Sequence, residues 1–157
     1  MGLDMFLTKK KYIGGNYEHN KIHGIIDIYK GEKRIPIDLK KTTYIEESVG
    51  YWRKANAIHK WFVDNVQGGN DDCRDYYVHL EQLKELLEIC KKIDKNHNLA
   101  SELLPTTIGF FFGSTDYDDW YYENIKETIK ILEKAIKEEE EYRKLNFYGE
   151  FYYTSSW

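Results

Sequence analysis

In Leu3-Asp4-Met5-Phe6-Leu7, residues 3–7, the apolar side chains Leu3, Met5 and Leu7 alternate with Asp4 and Phe6. Successive side chains of a strand point to opposite faces, so a period of two places Leu3, Met5 and Leu7 on one face. The other end, Phe147 to Trp157, alternates aromatic and polar residues in the same way and reads as a closing strand. Strands at both ends with long helical patterns between them predict an α+β fold. The expected architecture is a small antiparallel sheet, formed by the N-terminal strands and the C-terminal strand and packed against about three helices. Neither an internal repeat nor a linker interrupts the chain, so residues 1–157 are expected to form one domain.

Moving inward, Gly14-Gly15-Asn16 breaks the first strand. Ile22 to Tyr29 predicts a second strand, and Lys30-Gly31-Glu32-Lys33 turns it into a third at Ile35-Pro36-Ile37. Pro36 cannot donate to a ladder, which puts that strand at an edge or a bulge. A long helix is expected from about Ile45–Glu47 to Val66, with Glu46 and Glu47 suited to its N-terminal end and Gly68 and Gly69 to its C-terminal end. Tyr76-Tyr77-Val78 reads as a short strand. His79 then precedes an amphipathic helix with Leu80, Leu83, Leu87 and Cys90 on one face, Glu81 and Gln82 in its first turn, and an end near Lys95-Asn96. Ile108 to Gly113 reads as a buried strand or tight connection. Ser114, Thr115 and Asp116 offer N-caps for a third helix from about Tyr117 to Leu145. Its stripe is Tyr121, Ile125, Ile129, Leu132 and Ile136, and its last turns, with Glu138 to Glu141, are expected to be solvated.

Charged residues make up 32% of the 157-residue chain and the formal net charge is −4. That balance argues against direct nucleic-acid binding, which needs a local excess of Lys and Arg, although Lys9-Lys10-Lys11 is a patch suited to phosphate. Aromatic residues reach 16%. Tyr and Trp suit both cores and recognition surfaces. The two cysteines, Cys73 and Cys90, are too few for a disulfide framework. The opening residues lack a basic region followed by an apolar stretch, and no apolar run approaches membrane-spanning length. The expectation is a protein of the cytoplasm without membrane contact.

Wound at about 100° per residue, the first predicted helix places Trp52, Asn56 and His59 on its apolar stripe. Burying Asn56 and His59 costs ~1–3 kcal/mol each unless they find partners. Backbone groups or tyrosines are the ordinary partners; the functional reading is a pocket shared with Asp72 and Ser114, as in a small enzyme or a nucleotide-binding module. Trp61 falls opposite, beside Arg53, and needs a cover: another element of the fold, a protein partner or a second copy of the chain. Tyr76, Tyr117 and Trp120 are further aromatic candidates for a binding surface. Ser114 and Thr115 open a helix whose N-terminal N–H groups suit an anion. Asp71-Asp72-Cys73 with His59 and His79 matches no zinc spacing, so no metal is expected. A Cys73–His59 thiol–imidazole pair would require nearness in space. No P-loop, nucleophile elbow, H-E-x-x-H helix or dinucleotide fingerprint occurs. No catalytic residue and no cofactor is assigned.

Several of these segments together resemble a family of small bacteriophage and prophage proteins. They are Met1-Gly2-Leu3-Asp4-Met5, Tyr51-Trp52-Arg53-Lys54-Ala55-Asn56-Ala57-Ile58-His59 with Trp61-Phe62-Val63, Asp71-Asp72-Cys73 and Tyr76-Tyr77-Val78. Leu103-Leu104-Pro105-Thr106, Gly109-Phe110-Phe111-Phe112-Gly113-Ser114-Thr115 and Tyr153-Thr154-Ser155-Ser156-Trp157 complete the set. The resemblance implies a phage or mobile-element origin and brings no activity with it. By analogy with other small phage proteins, the expected role is binding a host protein or ribonucleoprotein, with inhibition of a host defence system such as CRISPR as the form it would take.

Overall fold

The computed structural model describes residues 2–14, 17–18 and 26–157. In chain order the elements are β1 (Asp4–Tyr12), a hairpin of β2 (Ile28–Lys30) and β3 (Lys33–Ile35), β4 (Tyr44–Arg53), α1 (Asn56–Asn65) and β5 (Tyr76–Val78). They continue with α2 (Leu80–Lys95), the short α3 (Ala100–Leu103), α4 (Asp119–Lys144) and β6 (Glu150–Ser156). Four strands form an antiparallel sheet in the order β4-β1-β6-β5. The N- and C-terminal strands are therefore neighbours, as the alternation at both ends predicts, and the fold is α+β. No helix among the described residues is long and apolar enough to cross a membrane.

β1 is central, and its alternation is complete: Met5, Leu7, Lys9 and Lys11 are buried on one face while Asp4, Phe6, Thr8 and Lys10 are half-buried on the other. The buried face lies beneath α1 and α4. Phe62 of α1 stacks on Tyr153 of β6 with ring centroids 3.9 Å apart. Trp52 of β4 donates its indole N–H to Thr128 Oγ1 of α4 at 2.9 Å. α2 packs on α4 through Leu83, Leu86, Leu87, Cys90 and Ile93, all buried. Each fully buried leucine contributes roughly 1.5–3 kcal/mol. Gln82 caps α2 by accepting from the His79 backbone N–H at 2.9 Å.

The expected helix from Ile45 to Val66 is in fact a strand followed by a helix. Tyr44, Ile45, Val49, Tyr51 and Trp52 are β-branched or aromatic and suit a pleated surface. A bulge hides the strand's period: Leu7 faces Gly50 but Thr8 faces Ser48. The inward positions become Ile45, Glu47, Gly50 and Trp52, and the step of three across the bulge imitates a helical spacing. Lys54, with φ of 55°, ends the strand, and its N–H donates to the Leu3 carbonyl at 2.8 Å. α1 begins two residues later.

Other expectations are corrected as well. The β2–β3 hairpin stands apart from the main sheet. The Gly15-Asn16 break and positions 22–25 of the second predicted strand lie outside the described residues. Lys9-Lys10-Lys11 is no open phosphate patch, because the strand's period turns Lys9 and Lys11 inward. Lys9 Nζ lies 2.5 Å from Glu139 Oε2, and Lys11 Nζ 2.7 Å from Glu47 Oε2. Glu139 is itself wholly buried rather than solvated, because a core-facing ammonium needs a counter-charge. Asp118, not Ser114, Thr115 or Asp116, caps α4 by accepting from the Tyr121 N–H at 3.0 Å.

At Gly50 the sheet comes close against α4. A Cβ there would sit 2.7 Å from Ile131 Cγ2 and 3.0 Å from the Trp52 ring. Gly50→Val is expected to lower the unfolding free energy by ~1–3 kcal/mol, measured by urea denaturation, because neither neighbour can retreat without disturbing the core.

Candidate functional site

Asn56 opens α1 and faces the loop that follows α3. Its Nδ2 donates to the carbonyls of Phe112 (3.2 Å) and Ser114 (2.7 Å), and its Oδ1 accepts from the Thr107 N–H at 3.2 Å. One buried amide thus closes both ends of the segment 107–114. Thr106 Oγ1 donates to the Thr115 carbonyl at 2.9 Å and ties the loop again. Between these ties the chain makes a tight turn in which the Phe112 N–H donates to the Gly109 carbonyl at 3.2 Å. Phe111, at the third position of that turn, has φ of 66°. A bulky residue in this left-handed region is strained, at a cost of order 1–3 kcal/mol.

Of the two expectations for this segment, buried strand or tight connection, the structure shows the tight connection. Ile108, Phe110 and Phe111 are 89%, 78% and 42% exposed, and only Phe112 turns inward. The Phe112 ring meets His59 edge-on at 5.1 Å, and the Trp157 ring lies 6.2 Å from it. Scattered exposed apolar residues are ordinary, but three on one strained, clamped turn are a concentrated apolar tip. Glycines flanking a Phe run at a loop were the available signal; without the fold, the run reads equally well as core.

The remaining candidates separate. His59 is buried, with Nδ1 2.7 Å from Tyr153 Oη and Nε2 2.9 Å from Asp71 Oδ2. Burial pushes the Tyr153 phenol well above its usual range, with the charge of Asp71 adding to the effect. Tyr153 therefore keeps its proton and donates it to Nδ1, which leaves Nε2–H to donate to Asp71. Asp71 also accepts from Trp157 Nε1 at 3.0 Å. Both imidazole nitrogens are engaged, so His59 has none left to serve Cys73 as a base. Burial raises the Cys90 thiol to about 12. Asp72 is held by Arg74 and by the Tyr76 hydroxyl at 3.0 Å. Arg74 chiefly holds the Asp72 carboxyl below the usual range. Trp52 is core. Trp61, expected on an exposed face, is 6% exposed, since it shares a recess with Leu103, Leu104 and Pro105. The fold supplies the cover that helical phase alone does not reveal.

Asn56, Ser114 and Trp120 do line one cleft, with Lys54, Asp116 and Asp118. Its volume is about 20 Å³, room for roughly one water. His59 and Asp72 do not line it. Arg53, Ser114, Thr115, Tyr117 and Trp120 are exposed. Among the described residues, no three of His, Cys, Asp and Glu gather as a metal site requires. No protein-family model, curated protein or solved structure matches the chain.

Asn56→Ala should release the loop. The Thr107 amide loses its acceptor and two carbonyls lose a donor, at ~1–3 kcal/mol. Hydrogen exchange should speed up at Thr107 and Phe112 while the β1 amides, away from the change, keep their order of protection.

Proposed function

We propose that this chain is a phage-type accessory protein that acts by binding a host protein through the apolar tip at Ile108, Phe110 and Phe111. The observation that carries the reading is that tip: large apolar side chains held in water on a strained turn, clamped by Asn56. Strain of this kind persists only where surrounding bonds enforce it, and it is concentrated at ligand clamps and recognition sites. Apolar anchors displayed on a rigid backbone lose little entropy on binding, which is how interface hot spots reach their affinity. The acidic balance supports a protein, or the protein part of a ribonucleoprotein, rather than bare nucleic acid. The likeness of the sequence segments to phage proteins supports a place of action in the host cytoplasm. Inhibition of a host defence effector, CRISPR systems included, is the role this reading serves.

The test is a double variant, Ile108→Ser with Phe110→Ser. Both positions are exposed, so stability should stay within about 0.5 kcal/mol of the parent. Affinity capture from host extract, read by mass spectrometry, should recover a host protein with the parent chain and lose it with the variant. Equal recovery by both chains would contradict the tip as the binding surface.

A further inference from the structure

We propose that two copies of this chain associate by exchanging their β2–β3 hairpins, each laid on the outer face of the other copy's four-stranded sheet. Every residue of β2 and β3 is exposed, Ile28 by 44%, Tyr29 by 59% and Ile35 by 40%. An isolated two-stranded hairpin is marginal in water and needs an apolar face set against another element. The strand pairing puts Ile28 opposite Ile35 and Lys30 opposite Lys33. Positions two apart share a face, so one side of the hairpin carries two isoleucines and then two lysines. Like charges directly opposed across a ladder repel. Neither lysine has an acidic partner among the described residues, whereas Arg34, on the other side, is paired with Asp27 at 2.7 Å. The cover that this side calls for is apolar at one end and acidic at the other.

The face of the sheet turned away from the buried side of β1 has that composition. By register Phe6, Tyr51, Tyr77 and Tyr152 share it. Phe6 lies 5.4 Å from Tyr51 and Tyr77 5.9 Å from Tyr152, and both Tyr51 and Tyr77 are exposed. Four carboxylates, Asp4, Glu46, Asp75 and Glu150, stand around these rings against two cations, Lys10 and Arg53. One ammonium is already held there in the manner required. Lys10 Nζ lies 4.6 Å from the centre of the Tyr152 ring, 3.7 Å from Asp75 and 4.0 Å from Glu46. Aromatic rings accept both kinds of group, apolar side chains by burial and ammoniums through the ring quadrupole. The rings can therefore cover Ile28 and Ile35 of a second copy, while Glu46 and Glu150, both exposed, meet its Lys30 and Lys33. Within one chain the hairpin stands apart from this sheet. Each copy carries both halves of the contact, so two reciprocal contacts close the pair about a two-fold axis.

Sedimentation equilibrium of the full chain tests the exchange. The parent should dimerise with a Kd below about 100 μM; weaker association, or none, would overturn the dimer. Lys30→Glu with Lys33→Glu should weaken it at least about tenfold, and so should Glu46→Lys with Glu150→Lys. All four positions are exposed, so the circular dichroism of both double variants should match that of the parent. Combined in one chain, the two reversals again set opposite charges across the contact, and this variant should dimerise more tightly than either double variant. A dimer that either reversal leaves intact, or a combined variant no tighter than the double variants, would overturn the seating of hairpin on sheet. The Ile108→Ser, Phe110→Ser chain should dimerise as the parent does. Loss of the dimer there would move the interface to the apolar tip and overturn the location.

Discussion

A strand cannot choose which of its alternate residues face inward, and β1 lies in the middle of the sheet with partners on both sides. Having set Met5 and Leu7 in the core, its period of two carries Lys9 and Lys11 to the same face. Unpaired, an ammonium there would cost several kcal/mol. Glu139, on α4, meets Lys9 and is itself held by Arg143 and by the Gly149 N–H at 3.3 Å. The pair sets the rotation of α4 about its axis and its position along the sheet. The Gly50–Ile131 approach and the Trp52–Thr128 bond follow from that placement. Buried pairs add little net stability over an apolar substitute; their contribution here is one defined docking of helix on sheet.

The opposite end of the same face works by satisfied polar groups. His59 spends both nitrogens on Tyr153 and Asp71, and Asn56 spends its amide on the loop. Two polar residues on an apolar helix face thus divide their labour: one joins the α1 core to the last strand, the other fixes the shape of an external turn. The tip depends on Asn56, because a strained Phe111 would otherwise relax.

Much of the fold can be read from periodicity. The terminal strands, β5, α2 with His79 and Gln82 at its start, and the stripe of α4 follow local patterns with clean periods. β4 does not, because the bulge at Val49 breaks its alternation and the inward positions then mimic a helix through residue 52. The burial of Asn56 and His59 was legible; their partners, 12 to 94 positions away in sequence, were not. Trp61 is covered where helical phase leaves it outside, and Phe110 and Phe111 stay exposed, since helical phase and hydrophobicity say which residues want cover but not whether another element supplies it. Glu139 was hidden in a run of glutamates, and nothing local distinguishes it from Glu138, Glu140 or Glu141. Its partner is set by the phase of a strand 130 residues earlier.

The most direct measurement is a double-mutant cycle on that pair, with Lys9→Met, Glu139→Leu and the combination compared by urea denaturation. Each single change leaves a buried charge alone and is predicted to cost ~3–5 kcal/mol, whereas the double variant, apolar on both sides, is predicted to cost less than either. Single costs of about 0–1 kcal/mol that add within ~0.5 kcal/mol would contradict a docking of α4 governed by Lys9 and Glu139.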